Sequence, residues 1–310
     1  MAHLIFATPV ALGADEREAV LLARCIRAFG GALAENPIWA VALGDAEDLS
    51  GETRAALRAL GVELLPFAID AAALAFPFAA RAFAAAAAEQ TARGRADLLA
   101  WLDSDTLVLQ EPRALLLRSE KALACCPIHH LRIGPSYDTL LDPFWRLVYD
   151  VCAVSEDRVF LMHTAVGGDR TRPHINAGLL VVRPERGVLT AWRDTFDRVY
   201  RQSDFEQFYE QNVRYRIFVH QAILSGTALS LLQPQELLVL PGTYNYPLHL
   251  HADFPPARAA ASLNALVTCR YDGWGFFEAP GWQEIMAVEE PLGSWLEREL
   301  SLIAGRSLSC

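Results

Sequence analysis

Lysine is nearly missing from this chain of 310 residues: Lys121 is the one lysine among 27 basic residues, and the others are arginines. The planar arginine fork suits phosphate and carboxylate partners. Positive charge is also outnumbered, with 37 acids and a formal net charge of −10. That balance argues against a generic nucleic-acid binder but leaves room for a local basic pocket. The six cysteines, Cys25, Cys125, Cys126, Cys152, Cys269 and Cys310, lack any framework spacing. They read as reduced, mostly buried thiols of a cytoplasmic protein rather than a disulfide scaffold. No basic segment precedes the apolar Leu4-Ile5-Phe6-Ala7, so the start reads as a strand and not as a signal peptide. No stretch is a convincing membrane span. The Ala-rich run from Ala71 to Ala88 is interrupted by Pro77 and Arg81 and reads as a packed helix.

What is present is a core-forming chain, 53% hydrophobic, with strand and helix patterns in alternation. Strands are expected at 3–9, 37–43, 62–67 and 97–102, and helices at 15–29, 51–60 and 79–92. This order predicts an α/β fold with a mainly parallel sheet and right-handed crossovers. No Gly-X-Gly-X-X-Gly follows the first strand, so a dinucleotide site is a poor reading. In the second half, strands are expected at 123–128, 176–182, 237–240 and 265–269. Helices are expected at 144–153, 187–201, 217–225 (short) and 290–303. No repeat or linker divides the chain. One domain, 1–310, is expected, with 1–105 as a nucleotide-binding half and 106–310 as an acceptor-side half.

The fourth strand ends at Asp103-Ser104-Asp105 and resumes as Thr106-Leu107-Val108. In an extended backbone the two carboxylates, two residues apart, face the same side. Two unpaired carboxylates repel and resist burial, and a divalent cation resolves that conflict. Oxygen ligands suit Mg²⁺ or Mn²⁺, which also grip phosphates. The competing reading of the tripeptide alone is a solvated turn. Thr8-Pro9 closes another strand on the same side of the sheet, where ligands of such folds bind.

Further motifs follow in order: Ile175-Asn176-Ala177-Gly178-Leu179-Leu180, His220-Gln221-Ala222-Ile223-Leu224, and Leu240-Pro241-Gly242-Thr243-Tyr244-Asn245-Tyr246. With Asp103-Ser104-Asp105 they cover about two-thirds of the chain. The ordered set resembles the GT-A-fold nucleotide-sugar glycosyltransferases of the glycogenin and bacterial lipopolysaccharide-galactosyltransferase type (family 8-like). The resemblance implies a GT-A, Rossmann-like sheet with helices on both faces and a smaller mixed second half. It also implies metal-dependent, retaining transfer of a sugar from a nucleotide-diphosphate sugar, a UDP-sugar first, to a sugar or glycoconjugate. A non-catalytic nucleotide-sugar or glycan-binding protein on the same fold is the alternative. A phosphatase and a sugar nucleotidyltransferase fit less well: the aspartates are not on the first strand, which also lacks a Gly-rich activating loop.

Site roles follow from the same resemblance. Asn176, Gln221 and His220 are the expected catalytic set. Asn176 donates and accepts toward sugar hydroxyls, and Gln221 offers a carbonyl oxygen near the anomeric carbon. Thr8, Pro9, Arg81, Asp103, Ser104, Asp105, Ala177, Gly178 and Arg270 are expected at the donor, with Ala177 and Gly178 admitting a ligand close to the backbone. His129, His130, Tyr244 and Asn245 are expected at the acceptor. Mn²⁺ or Mg²⁺ would sit on Asp103 and Asp105. Two departures stand out. His220 replaces the family's usual Asp, and the late strand that carries a histidine ligand in the family reads Val267-Thr268-Cys269-Arg270-Tyr271. His249 and His251 are the nearest substitutes, on one face if that segment is extended. A surface role for both is the alternative.

Overall fold

The structure is a computed structural model that describes residues 2–10, 15–44, 48–279 and 281–305. Cys310 lies outside the described residues; the other five cysteines are buried and free.

β1 (Leu4–Val10) is buried throughout and leads into α1 (Glu16–Phe29), whose first turn is capped by the Asp15 carboxylate accepting the Arg17 N–H. β2 (Ile38–Leu43), α2 (Gly51–Ala59) and β3 (Val62–Phe67) follow, with Ser50 capping α2. A single turn, α3 (Ala71–Leu74), precedes the Ala-rich α4 (Ala79–Ala92). Then come β4 (Leu98–Leu102), β5 (Thr106–Val108), β6 (Leu123–Pro127) and α5 (Pro143–Cys152). A short ribbon, β7 (Met162–His163) and β8 (Arg170–Thr171), leads to β9 (Ile175–Val182). Helices α6 (Val188–Val199), α7 (Ser203–Gln211) and α8 (Val213–Leu231) come next, then β10 (Leu237–Val239), β11 (Tyr246–Pro247) and β12 (Thr268–Arg270). The chain closes with α9 (Gly275–Glu278), α10 (Trp282–Ile285) and α11 (Leu292–Gly305).

Seven strands form the central sheet in the order β10-β6-β9-β4-β1-β2-β3. Only β9 runs antiparallel to its neighbours β4 and β6. Because successive side chains point to opposite faces, each strand feeds two cores. Ile5, Ala7, Leu99 and Trp101 pack with α4, α6 and α8 on one face. Leu4, Phe6, Leu98 and Ala100 pack with α1 and α11 on the other. Cys125 and Cys126 divide between the two cores in the same way. The expected α/β sheet, mainly parallel and covered on both faces, is therefore observed. It draws β6, β9 and β10 from the second half of the chain into one sheet with β1–β4.

Three local expectations change. The helix expected at 217–225 is α8, which runs 19 residues from Val213 to Leu231. Asp103–Asp105 is not extended: Thr106 N–H donates to the Asp103 carbonyl at 3.1 Å, closing a turn between β4 and β5. His249 and His251 lie in a 3₁₀ turn, Leu248–Asp253, whose three-residue repeat sends positions two apart to different sides. No described helix is long and apolar enough to cross a membrane.

Candidate active site

The turn between β4 and β5 stands where two sheets meet. Asp103 N–H donates to the Gly178 carbonyl of β9 at 2.8 Å. β5 pairs antiparallel with β12, setting Thr106 opposite Arg270. That register delivers the Arg270 guanidinium to the two acids. Its Nε and Nη2 donate to Asp105 Oδ1 at 3.0 Å and Oδ2 at 2.8 Å. Nη2 also lies 3.3 Å from Asp103 Oδ2. The same oxygen accepts from Arg81 Nη1 at 2.7 Å. Arg81 is in the first turn of α4, held over the Phe78 ring at 4.7 Å. Phe78 itself has φ 59°, a left-handed conformation that a bulky residue rarely adopts. Both acids and Arg270 are buried. Burial pushes the Asp103 carboxyl up, against the pull of both arginines. Burial also opposes ionisation of Asp105, but the bidentate Arg270 outweighs it and holds that carboxyl low. Ser104, between them, donates to Glu18 Oε2 at 2.8 Å, and burial pushes the Glu18 carboxyl up to about 7.

A cavity of about 480 Å³ opens beside this cluster. Among the expected site residues, Arg81, His129, His130, Asn176, His220, Gln221, His249 and Arg270 line it together. Internal bonds decide what each polar side chain presents. Asn176 Oδ1 accepts from Gly178 N–H at 2.9 Å and from Asn245 Nδ2 at 3.1 Å. Its amide N–H groups are left for a ligand. Gln221 Oε1 accepts from Ala177 N–H at 3.3 Å. Its carbonyl is therefore tied to β9, and its NH₂ is what remains to offer, the reverse of the expectation. His220 Nδ1 donates to the Ile217 carbonyl at 2.9 Å, leaving Nε2 as an acceptor. Burial lowers the pKa of His129, His174 and His220 to about 3 each, so all three are neutral at physiological pH. His129 Nε2 and both ring nitrogens of His174 are buried without a hydrogen-bond partner, whereas His130 Nε2 lies 3.5 Å from Asp253 Oδ2. Such orphans are rare in folded proteins and point to a polar occupant.

Other expected residues lie elsewhere. Tyr244 and Asn245 face a neighbouring hollow, the Tyr244 hydroxyl accepting from Ala114 N–H at 3.1 Å. Asn245 acts on the cavity only through Asn176. His251 Nδ1 is bonded to the Tyr246 hydroxyl at 2.8 Å and does not line the cavity. Thr8, Pro9, Asp103, Ser104, Asp105, Ala177 and Gly178 are buried and do not line the cavity. At Gly178 the missing Cβ admits Arg270, not a ligand: a Cβ there would meet Arg270 Nη1 at 3.0 Å. Sequence reasoning missed Phe78, Arg132, His174, Arg214, Phe218 and Asp272 as lining residues. Only His174, a polar residue two positions before Asn176, carried a signal that could have found it.

The divalent ion implied by the resemblance is not matched by these residues. Mg²⁺ wants about six oxygen ligands. Three of the four carboxylate oxygens of Asp103 and Asp105 already accept from guanidinium N–H groups, and only Asp103 Oδ1 has no partner. Among the described residues no three His, Cys, Asp or Glu side chains are grouped to hold a metal.

Residues 10–225 match the Rhodobacterales glycosyltransferase domain. No curated protein matches the chain. Among solved structures, the galactosyltransferase LgtC in complex with donor and acceptor sugar analogues is 17% identical, with a TM-score of 0.47 over 99% of this chain and 96% of that one. Mouse xyloside xylosyltransferase 1 in its apo form is 15% identical, with a TM-score of 0.44 over 87% of this chain and 97% of that one. The glycosyltransferase GlyE of Streptococcus pneumoniae TIGR4 is 14% identical, with a TM-score of 0.46 over 96% of this chain and 63% of that one. At these identities and scores the likenesses carry no argument about ligands.

Proposed function

The chain belongs to the Rhodobacterales glycosyltransferase domain family, and from that premise we propose that its cavity transfers a sugar from a nucleotide-diphosphate sugar, a UDP-sugar first, to a sugar or glycoconjugate. The supporting observation is the wall itself. Arg81, Arg270, Asn176 and Gln221 all present N–H donors to one space, which suits phosphate oxygens and sugar hydroxyls. In this reading Arg81 and Arg270 meet the diphosphate, and Asn176 and Gln221 orient the transferring sugar. His220 accepts a hydroxyl through Nε2, and His129 and His130 face the acceptor. Asn245 fixes the Asn176 rotamer from behind.

The reaction needs little covalent help from the protein. The bond from the anomeric carbon to the phosphate oxygen breaks, and its electron pair leaves on the diphosphate. The acceptor oxygen forms the new bond, and its proton passes to the departing phosphate. Guanidinium groups aimed at that oxygen stabilise the charge that grows there. Among the described residues lining the cavity, Asp272 is the one carboxylate. Attack is assigned to an acceptor held on the same face as the departing diphosphate, not to an enzyme nucleophile. Retention of configuration is the outcome the family resemblance implies, with the acceptor entering on the face the diphosphate leaves.

The test is a mass-spectrometric screen of nucleotide-diphosphate sugars against simple glycoside acceptors. Turnover of a donor is expected, with kcat reduced about a hundredfold in Asn176→Ala or Gln221→Ala, as for lost positioning. Inert donors throughout, or both variants turning over like the parent, would contradict the reading.

A further inference from the structure

We propose that Arg270, together with Arg81, takes the place of the divalent cation, so that the donor diphosphate binds between two guanidiniums and no metal is required. This rests on the reading of the cavity as a nucleotide-sugar site and deepens it.

Four observations converge. The first is charge. Two carboxylates and a divalent ion sum to zero, and so do Asp103 and Asp105 with Arg81 and Arg270. A further divalent ion beside two guanidiniums would meet repulsion in a buried setting. The second is position. Arg270 touches both acids, bidentate on Asp105 and 3.3 Å from Asp103, and so fills the point between them. The third is how it is held. Arg270 ends β12 directly across the ladder from Thr106, and its side chain runs past Gly178, where a Cβ would lie 3.0 Å from Nη1 and 3.1 Å from Cδ. The backbone register and the bare glycine both prepare room for this arginine. The fourth is unused capacity. Arg270 Nη1 and Arg81 Nε and Nη2 make no hydrogen bond among the described residues, while both side chains line the cavity. A planar fork with one edge on a carboxylate and the other open is suited to bridge that carboxylate to a phosphate.

Where the family resemblance implies a histidine ligand, β12 carries Arg270, which removes the need for the ion and blocks it.

The full chain is titrated with UDP and with GDP by calorimetry, once in EDTA and once in Mn²⁺. In parallel, free Mn²⁺ is followed by its electron paramagnetic resonance signal as protein is added. The wild type should bind one of the two nucleotides with affinity unchanged within about twofold between EDTA and Mn²⁺, and should not deplete the Mn²⁺ signal. Arg270→His should reverse both: nucleotide affinity lost in EDTA and regained in Mn²⁺, with Mn²⁺ taken up. Adding Asp103→Asn should cancel that uptake. Arg270→Lys keeps the charge and loses the fork. It should fold by circular dichroism and bind about tenfold more weakly in EDTA. Wild-type binding that collapses in EDTA, or Mn²⁺ uptake by the wild type, would overturn the inference while leaving the glycosyltransferase reading intact. Failure of both nucleotides under both conditions would overturn that reading and the inference with it.

Discussion

Gly178 shows how much of this site rests on single atoms. Its N–H anchors Asn176, its carbonyl anchors Asp103, and its absent side chain makes way for Arg270. Gly178→Ala should therefore push the guanidinium off Asp105. The expected cost is about 1–3 kcal/mol in urea denaturation, together with loss of nucleotide binding. An unchanged affinity would show that Arg270 is not where the phosphates bind. Glu18 offers a second test. Its buried carboxyl is raised from 4.5 to about 7, so the folded protein holds a proton that the unfolded chain releases. Stability from this group is complete below pH 4.5 and declines as pH rises to about 7. Relative to wild type, Glu18→Gln should gain stability across that window and then stay level, by about 3 kcal/mol at most. Thermal denaturation from pH 4 to 8 measures it, and a constant difference would refute the raised pKa. At this scale the sequence named Asn176, Gln221, Arg81 and Arg270 for one site. It did not reveal that Asn176 and Gln221 spend their oxygens on β9, because backbone N–H groups left by a strand are invisible in residue types.

Among the elements, α4 and α8 differ in how plainly they could be read. The alternation of α4 with β4 and its length set it at Ala79–Ala92, as expected. Alanines bring it close to β1, β2 and α6, so bulk is not tolerated: Ala85, fully buried, changed to Leu should cost about 1–3 kcal/mol by overpacking, read as a lower denaturation midpoint. A neutral Ala85→Leu would mean the helix rides off the sheet. By contrast, α8 is buried on nearly every side from Val219 to Leu229, so no polar stripe marked its ends, and its length was underread. The Asp pair and the two late histidines share another cause. Both were expected to converge because an extended chain repeats every two residues. The acids converge through a turn instead, and the histidines diverge in a 3₁₀ helix. Short segments between elements take their shape from tertiary partners, which residue order alone does not specify.

On the scale of the whole molecule, a protein with net charge −10 lines one opening with four arginines, Arg81, Arg132, Arg214 and Arg270. Arg132 and Arg214 stand exposed at its rim, beyond the neutralised pairs inside. They should draw in an anionic donor. Reversing both, Arg132→Glu with Arg214→Glu, should slow nucleotide association in stopped-flow at low salt, with the difference fading as salt screens it. Equal rates at low salt would remove steering from the account. The parallel sheet and its two covered faces were legible because strand–helix alternation is a long-range pattern written in hydrophobicity. The antiparallel β9, which carries Asn176 to the acids, was not, since strand direction depends on where a connection lands.

A crystal structure of the protein with its nucleoside diphosphate, grown in EDTA, decides whether two guanidiniums hold the phosphates without a metal. Phosphate oxygens should lie within about 3.2 Å of guanidinium nitrogens on both Arg81 and Arg270, with Arg270 still on Asp105. A metal ion between Asp103 and Asp105 with Arg270 swung aside, or a diphosphate bound away from these arginines, would contradict that arrangement.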